Sequence, residues 1–228
     1  MPKPIKKRTE KKITTTEENL KETVGDIRQR LKQRQRTLIY AFTIFIALTI
    51  SITGFVVYKK TSSDRAAELE LEGYRLFYGD YNTQIIPSAE RYKRALEIFK
   101  KSYTSRKKSD VLLYIANCYY ELGNYDESIK TLKELVNQFS DPKILSLAYY
   151  KMSFAYIKKG DMSSAIDSLN NILNIKDIPL QDMALLETAK MLELSGKTED
   201  AKNKYKELIN KFPKSALLNE ARARLENS

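Results

Sequence analysis

Residues Ser109–Pro142 read SDVLLYIANCYYELGNYDESIKTLKELVNQFSDP, and two apolar periodicities separated by one glycine run through them. Before Gly123, Leu112, Ile115, Ala116 and Tyr119 recur at i, i+3, i+4 and i+7, the spacing of one helix face. After it, Ser128, Leu132 and Leu135 mark the inner face of a second helix. Neither helix is long enough to be stable alone in water, so each must bury its stripe against a neighbour. Small residues, Ala116 on one helix and Ser128 on the other, stand where two backbones have to come close.

The pattern repeats outward. Gly79, Gly123, Gly160 and Gly196 lie 44, 37 and 36 residues apart and account for four of the seven glycines. A period in the mid-thirties marks a stack of supersecondary units. Ser146 to Pro179 repeats the pattern with Tyr149, Met152, Ser153, Tyr156, Gly160-Asp161, Ala165, Leu169 and Ile172. Asp182 to Pro213 does so with Leu185, Ala189, Gly196, Ala201, Tyr205, Leu208 and Pro213, with Thr188 in place of an apolar residue. An earlier unit places Gly79-Asp80-Tyr81 at its turn and Ala95, Phe99 and Ser102 on its second helix, with about eleven inserted residues, and is weakened by Glu72 and Gly73. A final helix from Ser215 to Glu226 would cap the exposed end.

These residues resemble the tetratricopeptide repeat. The Gly-Asn-Tyr-Asp-Glu and Gly-Asp-Met-Ser-Ser-Ala turns favour it over other helical pair repeats. Composition agrees with an all-α chain, because Gly (7) and Pro (6) are scarce in 228 residues. The absence of histidine and the single cysteine remove Ser-His-Asp and Cys-His catalysis, His-containing zinc sites and internal disulfides. There is no phosphate-binding glycine loop, and carboxylates such as Asp126-Glu127 and Glu17-Glu18 read as helix-terminus charges. The expectation is a non-enzyme with no catalytic, cofactor or metal site. Cys118, beside the core of a first helix, reads as a small buried hydrophobe.

The net charge of +11 is concentrated outside the repeats. Residues 1 to 36 hold 12 Lys/Arg against 5 Asp/Glu, whereas residues 64 to 228 hold 26 against 24. A nucleic-acid-binding domain gathers cations on its folded body, and this body is almost neutral, so no nucleic-acid partner is expected.

Between these regions, Leu38 to Tyr58 (LIYAFTIFIALTISITGFVVY) is a run of 21 residues without a charge, flanked by Arg34 and Arg36 and by Lys59 and Lys60. As a helix it spans roughly 30 Å, the thickness of a bilayer's hydrocarbon core, and Tyr40 and Tyr58 sit where interfacial aromatics belong. Thirty-seven residues precede the run and no small-x-small cleavage site follows it, so it reads as an uncleaved signal anchor. Six Lys/Arg in residues 21 to 37 against four in 59 to 75 place the N-terminus in the cytoplasm and the repeats across the membrane. The expected organisation is a basic, partly helical tail (1–36), a transmembrane anchor (37–60) and a repeat domain (61–228). That is a single transmembrane helix followed by an α-solenoid of about four helix pairs with a C-terminal cap.

Two weaker features flank the anchor. Thr15-Thr16-Glu17-Glu18 has capping-box form, and Leu20, Val24, Ile27 and Leu31 then recur at helical spacing amid cations. This fits a basic amphipathic helix on an anionic leaflet or a partner, and equally a solvated flank. Thr43, Ala47, Ser51 and Gly54 form a small-residue face that would admit a partner membrane helix.

In this repeat class the inner groove is lined by first-helix residues that face away from the core. Mapped here they include Leu113, Asn117, Tyr120, Glu121, Tyr150, Phe154, Ile157, Lys158, Leu186 and Lys190. An apolar, aromatic groove implies a peptide or helix ligand, or else an occupant from the chain itself, either the insertion at 80 to 90 or the capping helix. The layout as a whole resembles the bacterial YfgM-type membrane proteins, ancillary subunits of the Sec translocon. The resemblance implies a bacterial inner-membrane adaptor, its repeats periplasmic, that holds chaperones or emerging chains near the channel. A scaffold for secretion, pilus or wall-synthesis machinery, and a cytosol-facing organelle import receptor, are the alternatives.

Overall fold

The computed structural model describes residues 14–79, 85–176 and 178–227, apart from the side chains of 14–19, 30, 31 and 227. The capping-box side chains, Leu31, Asp80 and Tyr81 of the first turn, and residues 80–84 of the insertion lie outside this description. Among the described residues the chain forms ten helices and no strand. It divides into two compact units, residues 1–60 and 61–228.

In the first unit, α1 (Thr14–Gln33) is followed after Arg34 by α2 (Gln35–Tyr78). Leu20, Val24 and Ile27 on α1 are exposed, and so is every residue of α2 from Leu38 to Tyr58. Here α2 is long and apolar enough to cross a membrane. Three of its hydroxyls bond their own helix: Thr43, Thr49 and Thr53 donate to the carbonyls of Tyr40, Ile46 and Thr49 at 2.8–2.9 Å. Such bonds leave an apolar exterior, as a lipid environment requires.

In the second unit the end of α2 pairs with α3 (Ser88–Ser105), α4 (Ser109–Glu121) with α5 (Tyr125–Gln138), α6 (Pro142–Lys158) with α7 (Met162–Leu173), and α8 (Gln181–Leu194) with α9 (Thr198–Lys211); α10 (Leu218–Asn227) closes the stack. From α3 onward each helix packs on its chain neighbours, and α4 also meets α6. The four periodic glycines all have φ between 73° and 79°. At Gly123 nothing lies within 4 Å of where a Cβ would stand, so backbone conformation rather than space selects glycine. The bonds Gly123 N–H to Tyr120 C=O and Asn124 N–H to Tyr119 C=O (both 2.9 Å) make a Schellman cap. The same pair of bonds recurs at Gly160 and at Gly196.

The small residues are buried as the repeat demands, and Ser128 Oγ donates to the Ala116 carbonyl at 2.9 Å. In the first pair Gly73 is a necessity rather than a weakness. A Cβ there would stand 2.6 Å from the fully buried Phe99 ring, which fills the space glycine leaves. Two boundaries also move. Helix α6 starts at Pro142 rather than Ser146, because Asp141 accepts from the N–H groups of Lys143 and Ile144 (2.8 and 3.3 Å) and Pro142 suits a first helical position. The capping helix starts at Leu218 because Ser215 is held in the preceding turn, its hydroxyl donating to Asp182 at 2.6 Å and accepting from Leu217 N–H.

Candidate functional site

Two of the expected groove residues do not line it. Leu113 and Leu186 keep 5% and 2% of their surface and belong to the core. Each follows a core leucine by one residue, and the next element of the stack covers it: Leu113 shares its cluster with Ala148, Met152 and Ala155 of α6, and Leu186 with Ala221 of α10. Asn117, Tyr120, Tyr150, Phe154, Ile157 and Lys190 are half-buried, while Glu121 and Lys158 are exposed.

The half-buried aromatics are held by their neighbours. Tyr150 and Phe154, one helical turn apart on α6, meet edge to face at 4.8 Å. Tyr120 of α4 packs on Tyr125 at the start of α5 at 5.4 Å. Burial raises the phenol pKa of both Tyr120 and Tyr150, with Tyr125 and Glu187 adding to the effect respectively. These rings are pre-placed, so a ligand would not have to immobilise them.

Lys190 is already engaged. It bonds Glu187 at 3.2 Å on its own helix and Glu220 of α10 at 2.7 Å. Partial burial opposes its charge, and the two carboxylates outweigh it, raising the ammonium pKa. The capping helix therefore reaches the first-helix face at this end. It is also tied by Arg224, which bonds Glu193 at 3.2 Å, and Glu193 in turn accepts from the buried Tyr205 hydroxyl at 2.9 Å.

At the other end lies a cluster absent from the expected site. Tyr74, Phe77 and Tyr78 of α2 gather around Tyr114 of α4, with ring centroids 4.7, 5.4 and 6.1 Å away, and Phe99 stacks on it from below at 5.3 Å. The Tyr78 and Tyr114 hydroxyls are 2.5 Å apart. Burial, reinforced by Asp110 and Glu70, pushes the Tyr74 phenol up to about 12. The spacing i, i+3, i+4 of Tyr74, Phe77 and Tyr78 just before Gly79 was the available sequence signal. Tyr114, Asn117 and Glu121 then continue along one side of α4.

Cys118 is fully buried, and desolvation pushes its thiol up to about 12, far from a reactive thiolate. Among the described residues no three acidic or thiol groups converge as a metal site.

Two family models, both described as tetratricopeptide repeat, match this chain, one over residues 88–148 and the other over 147–175 and 183–215. The chain carries tetratricopeptide repeats. This fold is a scaffold for protein–protein interaction. The heat shock protein sti1 homolog of Schizosaccharomyces pombe is 31% identical over 87 residues, which cover 34% of this chain and 15% of that protein. Among solved structures, the tetratricopeptide-like repeats of a putative kinesin light chain from Podosopora anserina superpose with a TM-score of 0.54 at 15% identity, covering 72% of this chain and 85% of that one. The TPR2AB domain of yeast Sti1 in its pHSP90 complex aligns at 24% identity over 71% of each chain, with a TM-score of 0.43.

Proposed function

We propose that this protein is a single-pass membrane adaptor whose first-helix face captures an apolar or aromatic peptide segment, or a helix, of another protein. One observation carries the reading: Tyr120, Tyr150 and Phe154 stand half-buried on successive first helices, away from the repeat's motif positions, with Tyr120 and Tyr150 bordering the core. A ring in such a setting supplies from one to several kcal/mol of affinity, more than rim charges do. The exposed apolar stretch of α2 supports an anchor at residues 37–60, between a basic tail at 1–36 and a repeat domain at 61–228. The cationic excess before the anchor supports a cytoplasmic N-terminus and periplasmic repeats at the bacterial inner membrane. In that setting the partners are chaperones or emerging secreted chains at the Sec translocon.

The test is capture by the full chain after mild detergent extraction. Changing Tyr120, Tyr150 and Phe154 together to Ser should abolish recovery of the partners while circular dichroism keeps its helical signal. Undiminished recovery by a folded triple variant would remove this face from the function, and wall-synthesis or pilus components in place of translocon subunits would redirect the assignment. A reporter active only outside the cytoplasm, fused at Ser228, should work; activity of cytoplasmic reporters alone would reverse the topology.

A further inference from the structure

Where α1 meets α2, within the first compact unit, an open cleft of about 730 Å³ is lined by Arg28, Lys32 and Gln35 at one end and the exposed Leu38, Ile39 and Phe42 at the other. We propose that this cleft binds one anionic phospholipid, its phosphate on Arg28 and Lys32 and an acyl chain against Leu38, Ile39 and Phe42. The inference rests on the membrane-anchor reading of α2.

Charge and shape point the same way. No carboxylate lines the cleft, and the first turn of α2 contains no acidic residue. Arg28 and Lys32 stand at i and i+4 on α1, a spacing at which like charges repel and a shared anion relieves both. Arginine offers a planar fork that matches phosphate geometry, and lysine adds a mobile point charge beside it. The apolar wall is the first part of the uncharged run, and it follows the cationic end of α1 across the break at Arg34. Leu20, Val24 and Ile27, exposed on α1 at i, i+4 and i+7, give the same helix an apolar stripe that a lipid surface would cover. An acidic peptide would satisfy the cations but not a wall of Leu, Ile and Phe at the head of a membrane-length helix.

The chain contains no tryptophan, so a single one reports cleanly. The full chain bearing Phe42→Trp, reconstituted into phosphatidylcholine vesicles, is quenched with brominated phosphatidylglycerol or brominated phosphatidylcholine. Phe55→Trp, near the far end of the run, serves as the control. The expected result is a preference for phosphatidylglycerol of about tenfold or more at position 42 and none at position 55, since each cation near an anionic lipid contributes about fivefold. Arg28→Gln with Lys32→Gln should erase the preference, and Lys59→Gln with Lys60→Gln should leave it intact. Equal quenching by both lipids at both positions would overturn the lipid site and leave the anchor standing. A preference at both positions, or one surviving in the Arg28/Lys32 variant, would mean diffuse attraction and overturn the site. No quenching at either position would remove the anchor and the site together.

Discussion

The first two helix pairs meet the same packing requirement with different residues. In α4 and α5 a modest gap is matched by modest filling: Ala116 faces Ser128, whose hydroxyl closes onto the Ala116 carbonyl. In α2 and α3 the gap is as large as a side chain can leave, at Gly73, and the filling is the Phe99 ring. A serine hydroxyl again reaches the first helix, Ser102 Oγ bonding the Ala66 carbonyl at 3.1 Å. The two pairs thus share one contact, a second-helix hydroxyl on a first-helix carbonyl, and the first pair adds a ring set into the space that a glycine leaves.

The comparison breaks most readily at its largest component. Phe99→Ala should destabilise the chain by about 3–5 kcal/mol, read as a lowered denaturant midpoint with unchanged slope, because the ring is fully buried and Gly73 cannot expand to replace it. Gly73→Ala should cost about 1–3 kcal/mol through overpacking against that ring. Combining it with Phe99→Leu should give a double variant more stable than the sum of the two single losses. Strict additivity would disconnect the two positions.

Gly123→Ala probes the shared element. With φ at +77° and open space around it, the expected loss is about 1–2 kcal/mol, all of it backbone strain. The same change at Gly160 should match it within error, since both sit in the same cap. A loss at one site only would mean that the turns are not equivalent.

The smallest effect is on pH dependence. Burial raises the thiol of Cys118 and the phenols of Tyr74, Tyr114 and Tyr205. Above about pH 9 the unfolded chain releases protons that the folded chain keeps, so stability should fall as pH rises from about 9 towards 12. Cys118→Ala should delay the onset of that fall to about pH 10, where the phenols of the unfolded chain begin to ionise. An unchanged onset would mean that Cys118 does not carry the effect.

What the sequence made legible follows from how local each requirement is. A left-handed residue after a first helix can hardly be anything but glycine, so Gly123, Gly160 and Gly196 announce the turns by themselves. Gly73 announces nothing, because its reason is a ring 26 residues further on, beyond an insertion. Leu113 and Leu186 were misplaced for a related cause. Whether a residue beside a core leucine faces open space or the next helix depends on how tightly the stack winds, which no single helix encodes. Lys190 shows the same dependence, since its partner Glu220 arrives only when α10 docks. The aromatic cluster around Tyr114 had a local signal in Tyr74, Phe77 and Tyr78, hidden because the first unit departs furthest from the repeat pattern.

The docking of α10 also decides how the molecule comes apart. A one-dimensional stack is lost from its ends, and this end is held by the buried Ala221, by Leu218 and Leu225 packed against the same cluster, and by two partly exposed ion pairs, Lys190 to Glu220 and Arg224 to Glu193. Mobile ions weaken such pairs and leave the leucine layers beneath untouched. Ionic strength therefore adjusts how often the last helix peels away from the stack, while its leucines limit how far.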